Sequence, residues 1–239
     1  MGVDYMIKLF HGKKTKFLCW FVNYILGRNI FNPKPDNPIW VKYKKKKYQN
    51  NLLNISLADC RKCTFDFRGN DNVIDVGECS VLRNVHFVIS GDGNRIELGK
   101  VCGVYNVTFS IEGNNQVIHM GDNYNSWADD SLVRIGAGDG ANIFVGNDCM
   151  IAPGSILRST DQHSIIKCDT KEKINNPKDI VLGDHVWLAA GVTVLKGTKI
   201  GKGTIIGANS MLSNTEIEDN CLAVGNPVRV VKKNVTWQM

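Results

Sequence analysis

The chain has 239 residues, 43% of them hydrophobic, which suits one large domain or a domain with an appendage and argues against wholesale disorder. Its net charge of +6 is uneven: residues 1–50 hold eleven Lys and Arg against two Asp, while the rest holds 18 basic and 21 acidic groups. A mildly acidic body argues against a nucleic-acid enzyme with a basic active face, and a basic arm suits anionic lipid, an anionic polymer or a partner.

Residues 1–50 form an arm distinct from residues 51–239. Phe17–Leu26 is apolar but only ten residues long, about half of the roughly 20 needed to span a bilayer. Lys13, Lys14 and Lys16 precede it and Arg28 follows, so it fits a short interfacial helix lying on a membrane or a helix packed on the end of the body or on another subunit. Pro33, Pro35 and Pro38 make a non-helical linker. Lys44–Lys47 reads either as a solvated turn or as an attachment to an anionic surface that salt would weaken. The eight Cys are irregularly spaced and no signal peptide with a small-residue cleavage site is visible, which predicts reduced thiols in a cytoplasmic protein. Cys60-Arg61-Lys62-Cys63 is a lone C-x-x-C with no second pair, more in keeping with ordinary core cysteines than with zinc or redox chemistry.

From residue 69 the chain repeats every 22 residues: Gly69, Gly91 and Gly113 are in register, as are Ile74, Ile96 and Ile118, then Gly77, Gly99 and Gly121. Val76, Leu98 and Met120 continue the pattern, and Asn84 with Asn106 adds a polar rung. Alternation in Val73-Ile74-Asp75-Val76 and Arg95-Ile96-Glu97-Leu98 predicts strands with one face inward. Ile143 follows Ile118 by 25 residues, which places three extra residues around 123–130.

Hexapeptides run through Val145, Ile151 and Leu157, stop over 158–179, and resume out of phase at Leu182, Leu188, Val194, Ile200, Ile206 and Leu212, with Val224 after a polar slot at Glu218. No helix has a period of six, so the pattern predicts a parallel β-helix with one short strand and one turn per hexapeptide. The break at 158–179 predicts one long loop leaving the coil, where function is usually placed on a rigid repeat scaffold.

That loop contains Ser159-Thr160-Asp161-Gln162-His163-Ser164-Ile165. The next coil reads Leu182-Gly183-Asp184-His185-Val186-Trp187-Leu188-Ala189-Ala190-Gly191, and the end reads Ala223-Val224-Gly225-Asn226-Pro227-Val228-Arg229-Val230-Val231-Lys232. Together these segments resemble the hexapeptide-repeat acyltransferases, most closely the galactoside, maltose and capsule-type sugar O-acetyltransferases. The resemblance is clear over about 140–232, looser over 65–139 and absent over 1–50. It implies an all-β fold, a left-handed parallel β-helix with one long active-site loop, assembled as a homotrimer with sites between subunits; residues 1–50 add a helical or irregular basic arm to it. It implies direct acetyl transfer from acetyl-CoA to a hydroxyl of a sugar or bacterial surface polysaccharide. The basic arm adds an expected place for this cytoplasmic protein at the inner face of the membrane, the charge asymmetry argues against nucleic acid, and the lack of a closely spaced His pair argues against a metal.

The resemblance places the catalytic base at His163. A neutral imidazole, with an ordinary pKa of about 6.5, can take the hydroxyl proton and return it to the leaving thiolate. Asp161 is a candidate to orient that ring or to meet the acceptor. His185 fits a turn or packing role better than catalysis, and Cys168 fits a bystander better than an acyl-carrying nucleophile. The family's coenzyme contacts fall on Trp187, Ala190, Ala208, Ser213, Asn214 and Lys232, with Arg229 an alternative for the 3′-phosphate and an end-of-turn packing role the lesser reading of Trp187. Ala189 replaces the family's usual Gly, and Ser213–Asn214 replaces its usual Thr–Lys and removes a positive charge. Tyr124 and Trp127, in the 123–130 bulge, are candidates for the acceptor's sugar face. Two alternatives stay open: an N-acetyltransferase acting on an amino-sugar nucleotide, and a non-catalytic β-helix scaffold, which would have no use for His163.

Overall fold

The computed structural model describes residues 40–43, 48–55, 58–126 and 131–238, and these form strands and turns with no helix among them. The apolar segment 17–26, the linker prolines and Lys44–Lys47 lie outside the described residues. The strands wind a three-faced parallel solenoid. A 15-stranded sheet wraps two faces and an 8-stranded sheet forms the third. On the first face lie Met150–Ile151, Trp187–Leu188, Ile205–Ile206 and Cys221–Val224; on the second, Val133–Gly138, Ile156–Arg158, Thr193–Leu195 and Met211–Leu212; on the third, Val117–Met120, Ile143–Val145, Ile180–Leu182 and Lys199–Ile200.

The 22-residue period is one coil. Ile74 pairs with Ile96 and Ile96 with Ile118, while Val76, Leu98 and Met120 form the next buried column. These coils are longer than three hexapeptides because their first and second faces run together in ten-residue strands, Val81–Ser90 and Gly103–Glu112. Asn84 and Asn106 bend these strands with positive φ of 53° and 52°, a conformation Asn tolerates better than most residues, and the Asn84 Nδ2 donates to Asn106 Oδ1 at 2.7 Å. The repeated glycines have a steric cause: a Cβ on Gly99 would lie 2.5 Å from Asp122 Oδ1 and 2.6 Å from the Gly121 backbone.

Alternation sends every second side chain inward. On the second face the inward column is Phe65, Phe87, Phe109, Ile135, Leu157, Val194 and Leu212, all fully buried. The three Phe rings stack at 5.0 and 5.2 Å between centroids. Each fully buried side chain of this size contributes about 1.5–3 kcal/mol, so the column holds the coils together along the axis.

The extra residues of the fourth coil fall at one corner: Ser126 and Val133 are seven positions apart, whereas their partners Val104 and Val107 are three apart. The long excursion leaves after Arg158 and returns at Ile180, where Ile143 pairs with Ile180 as if nothing intervened. Strand Trp40–Tyr43 pairs in parallel with Thr64–Phe67, so the ladder reaches into the segment read from sequence as the arm. At the other end Arg229–Lys233 turns back antiparallel on Cys221–Val224 and covers that edge.

Candidate active site

The loop begins at the corner between the second and third faces. Residues 160–163 follow the strand Ile156–Arg158 and are exposed except for half-buried Thr160. Three of the four have side chains tied to the body. Thr160 Oγ1 donates to Asp139 Oδ2 at 2.7 Å. Gln162 Nε2 donates to Glu112 Oε2 at 3.2 Å, and its Oε1 accepts from Arg158 Nη1 at 2.7 Å. Asp161 Oδ2 accepts from Lys196 Nζ at 2.5 Å and from Asn175 Nδ2 at 2.7 Å. The Lys196 ammonium first, and the Asn175 amide second, hold the Asp161 carboxyl below its usual range.

His163 is the exception. Its backbone is fixed, N–H to Asp161 O at 2.8 Å and C=O from Asn175 Nδ2 at 2.8 Å, but no hydrogen bond among the described residues engages its exposed imidazole. The arrangement presents an unpartnered imidazole from a braced backbone. The Asp161 carboxylate does not orient that ring; it is committed to Lys196 and Asn175. Beyond His163 the loop is a hairpin, bridged at Ile166 and Lys173 and closed by Lys167 Nζ to Glu172 Oε2 at 2.6 Å, with Ile165, Ile166 and Ile174 each more than half exposed. Cys168 is exposed on it.

The residues expected to meet coenzyme fall on two corners and one outer row. Ala190 and Ala208 are exposed and occupy stacked turns, with Asn209 N–H donating to Ala190 O at 2.9 Å. Gly191 in that corner has φ of 72°, and a Cβ there would lie 2.3 Å from Asn209 Oδ1. Ser213 and Asn214 lie across the second face, at the corner below the loop; Asn214 Oδ1 accepts from Lys178 Nζ at 2.7 Å and so ties the returning loop. Trp187 heads an outward row through Ile205 and Leu222 to Lys232, three rungs or about 14 Å away. Arg229 is exposed beside Val224 on the same closing strand.

One aromatic expectation changes. Tyr124 is fully enclosed, in an inward corner column with Cys102 and Cys149, and its burial pushes the phenol well above its ordinary range. It fills the core and offers no face to a sugar. Ser126, inward between Val104 and Ile151, leaves the room that the larger ring takes. Trp127 lies outside the described residues.

His185 is a packing residue: with φ of 57° it stacks on Trp237 at 4.3 Å, its Nε2 bonds to Trp237 O at 3.0 Å, and Trp237 Nε1 donates back to His185 O at 2.8 Å. Trp237 also stands 6.0 Å from the Trp187 ring, so Trp187 is half-buried against it. Cys60 and Cys63 are both buried, and the described residues contain no group of three or more His, Cys, Asp or Glu placed to hold a metal ion. Sequence reasoning missed Lys196, Asn175 and Trp237, whose partners lie 10 to 52 positions away.

A model of the bacterial transferase hexapeptide (six repeats) matches residues 179–214. A polysialic acid O-acetyltransferase of Escherichia coli O1:K1 / APEC is 40% identical over 108 residues, covering 43% of this chain and 35% of the relative. Its counterpart from Neisseria meningitidis is 40% identical over 95 residues, covering 40% of this chain and 44% of the relative. The aligned part therefore spans less than half the length of these curated relatives. The crystal structure of the polySia-specific acetyltransferase NeuO superposes with a TM-score of 0.72 at 25% identity, covering 86% of this chain and 90% of that one. That of the polysialic acid O-acetyltransferase OatWY gives 0.74 at 26%, covering 80% and 91%. In repeat, in relatives and in fold, the resemblance to the hexapeptide-repeat acyltransferases holds, on a left-handed parallel β-helix.

Proposed function

We propose that the protein is an acetyl-CoA-dependent O-acetyltransferase that acetylates a sugar hydroxyl of a bacterial surface polysaccharide. The observation that carries this reading is His163: an exposed imidazole with no hydrogen-bond partner among the described residues, on a backbone held by Asp161 and Asn175, which Lys196 ties to the coil. In the reaction the acceptor oxygen attacks the thioester carbonyl carbon while His163 takes its proton. The C–S bond then breaks and the imidazolium protonates the departing thiolate. Backbone N–H groups of the coil stabilise the tetrahedral oxyanion, a role in which one donor is typically worth about 10²–10³ in rate. Ala190 and Ala208 keep one corner free of large side chains, so a pantetheine arm can lie close to backbone groups there. Lys232 and Arg229 supply cations for the phosphates, and neighbouring subunits of a homotrimer complete the sites.

The names of the relatives direct the choice of acceptor toward acidic sugar polymers such as polysialic acid. The net positive charge of residues 1–50 suits such a polymer or the anionic inner membrane face on which it is assembled. The test is incubation of the full chain with labelled acetyl-CoA and a panel of sugars, amino-sugar nucleotides and capsular polymers including polysialic acid. Label in an alkali-labile ester on a polymer is expected. An alkali-stable amide on an amino-sugar nucleotide would overturn O-transfer, and transfer to no member of the panel would favour the scaffold.

A further inference from the structure

We propose that Lys196, acting with Asn175 and Asp161, is a positioning residue that fixes His163 relative to the coil. The inference rests on His163 being the base, as argued above. Lys196 stands in the turn after the strand Thr193–Leu195, and its carbonyl accepts from Asn214 N–H at 3.0 Å, so its backbone belongs to the ladder. Its side chain crosses to the loop, where Nζ donates to Asp161 Oδ2 at 2.5 Å and to Asn175 O at 3.1 Å.

Asn175 spreads that contact over both sides of the histidine. Its Nδ2 donates to Asp161 Oδ2 at 2.7 Å and to His163 O at 2.8 Å, and its Oδ1 accepts from Ile165 N–H at 2.7 Å. One cation on the coil thus holds residues 161, 163 and 165 through five hydrogen bonds. A lysine in a solvated turn would extend into water; the Lys196 side chain is only 17% exposed, which its partners must offset. The depressed Asp161 carboxyl is consistent with that pairing. The Ile166–Lys173 bridge and the Lys167–Glu172 pair close the hairpin farther out and do not touch the coil. Gln162 to Glu112 and Thr160 to Asp139 anchor the opposite side of the same four-residue run.

Base catalysis needs reacting atoms about 3–3.5 Å apart, and a misplacement of about 1 Å can cost on the order of 10² in rate. Lys196→Met in the full chain keeps the stem and removes the cation. It is expected to lower kcat on the order of 10²-fold while KM for acetyl-CoA stays within about twofold. Amide exchange over 161–165 should accelerate while that over 166–173 is unchanged, and Lys196→Arg, which keeps the cation, should restore most of the lost kcat. If Lys196→Met does not fold, Asp161→Asn removes the charge pairing at constant shape and is read by the same exchange and the same kcat–KM split.

Retention of more than about half of kcat, or unchanged exchange over 161–165, overturns the assignment. The two levels separate cleanly. An active His163→Ala variant removes the base reading itself, whereas an inactive His163→Ala beside an active Lys196→Met removes positioning alone.

Discussion

Replacing His163 by Ala isolates the chemistry from the scaffold, and the structure says how large the effect is. The imidazole is exposed, so its removal opens no cavity, and a surface change of this kind stays within about 0.5 kcal/mol in stability. Alanine keeps both backbone bonds of residue 163, to Asp161 O and from Asn175 Nδ2. Among the described residues the neighbouring side chains already have partners: Thr160 is bonded to Asp139, Gln162 to Glu112 and Arg158, and Asp161 to Lys196 and Asn175. The loss is therefore that of the base itself, about 10²–10⁴ in kcat, which corresponds to about 2.7–5.5 kcal/mol of barrier. The assay follows thiol release from acetyl-CoA with acceptor at saturation, beside thermal unfolding of the same samples. A variant within about tenfold of the parent at equal melting temperature would refute the assignment.

Four further outcomes are expected. Phe87→Ala removes the middle ring of the Phe65–Phe87–Phe109 stack between coils that the ladder prevents from closing; it should cost about 3–5 kcal/mol in denaturant unfolding, and a cost below about 1 kcal/mol would show that the coils do collapse. Lys232→Ala removes an exposed cation and should weaken coenzyme A by up to about fivefold by calorimetry; an unchanged Kd would reject that contact. The Asp161 carboxyl titrates below its usual value, so its tie to Lys196 is complete above about pH 4 and is released only as pH falls through the depressed value. Exchange protection over 161–165, corrected for intrinsic rate, should be flat through neutral pH and disappear in strong acid; loss already near pH 6 would contradict this. Deleting residues 1–39 and replacing Lys44 to Lys47 by Gln, which spares the paired strand Trp40–Tyr43, should abolish salt-sensitive binding to anionic vesicles, and a full-length chain that ignores such vesicles would discard the membrane contact.

What was legible in the sequence was whatever recurs. The 22-residue coils are visible because the glycines at 77, 99 and 121 stack where no Cβ fits and because Ile74, Ile96 and Ile118 share one inward column. The loop was visible as the place where recurrence stops, and His163 as a motif within it. Tyr124 misled because it follows two turn residues and an aromatic beside polar residues reads as surface. Only the pairing register, which puts it beneath Cys102 and above Cys149, reveals an inward slot. Lys196 and Asn175 were illegible for the opposite reason: each is an ordinary turn residue, and their link crosses 21 positions and exists only once the loop has folded back. His185 and Trp237, 52 positions apart, are the same case.

The loop itself asks little of the scaffold. Ladder partners at the two corners of the third face lie 22 positions apart where Gln116 N–H meets Asn94 Oδ1 before its strands, and 37 apart where Asn147 N–H meets Asp184 Oδ1 after them, yet the bonds are 3.0 and 2.8 Å. Asp179 closes the return by accepting from Asn142 N–H at 2.7 Å. Lengthening a closed segment from 22 to 37 residues raises its closure cost by only about 0.5 kcal/mol. A β-helix can thus accept such an insertion almost anywhere along its axis, and closure alone does not fix where a side chain on it points. That placement has to come from bonds between loop and coil, and between the second and third faces they converge from both sides on residues 160–162, just before His163.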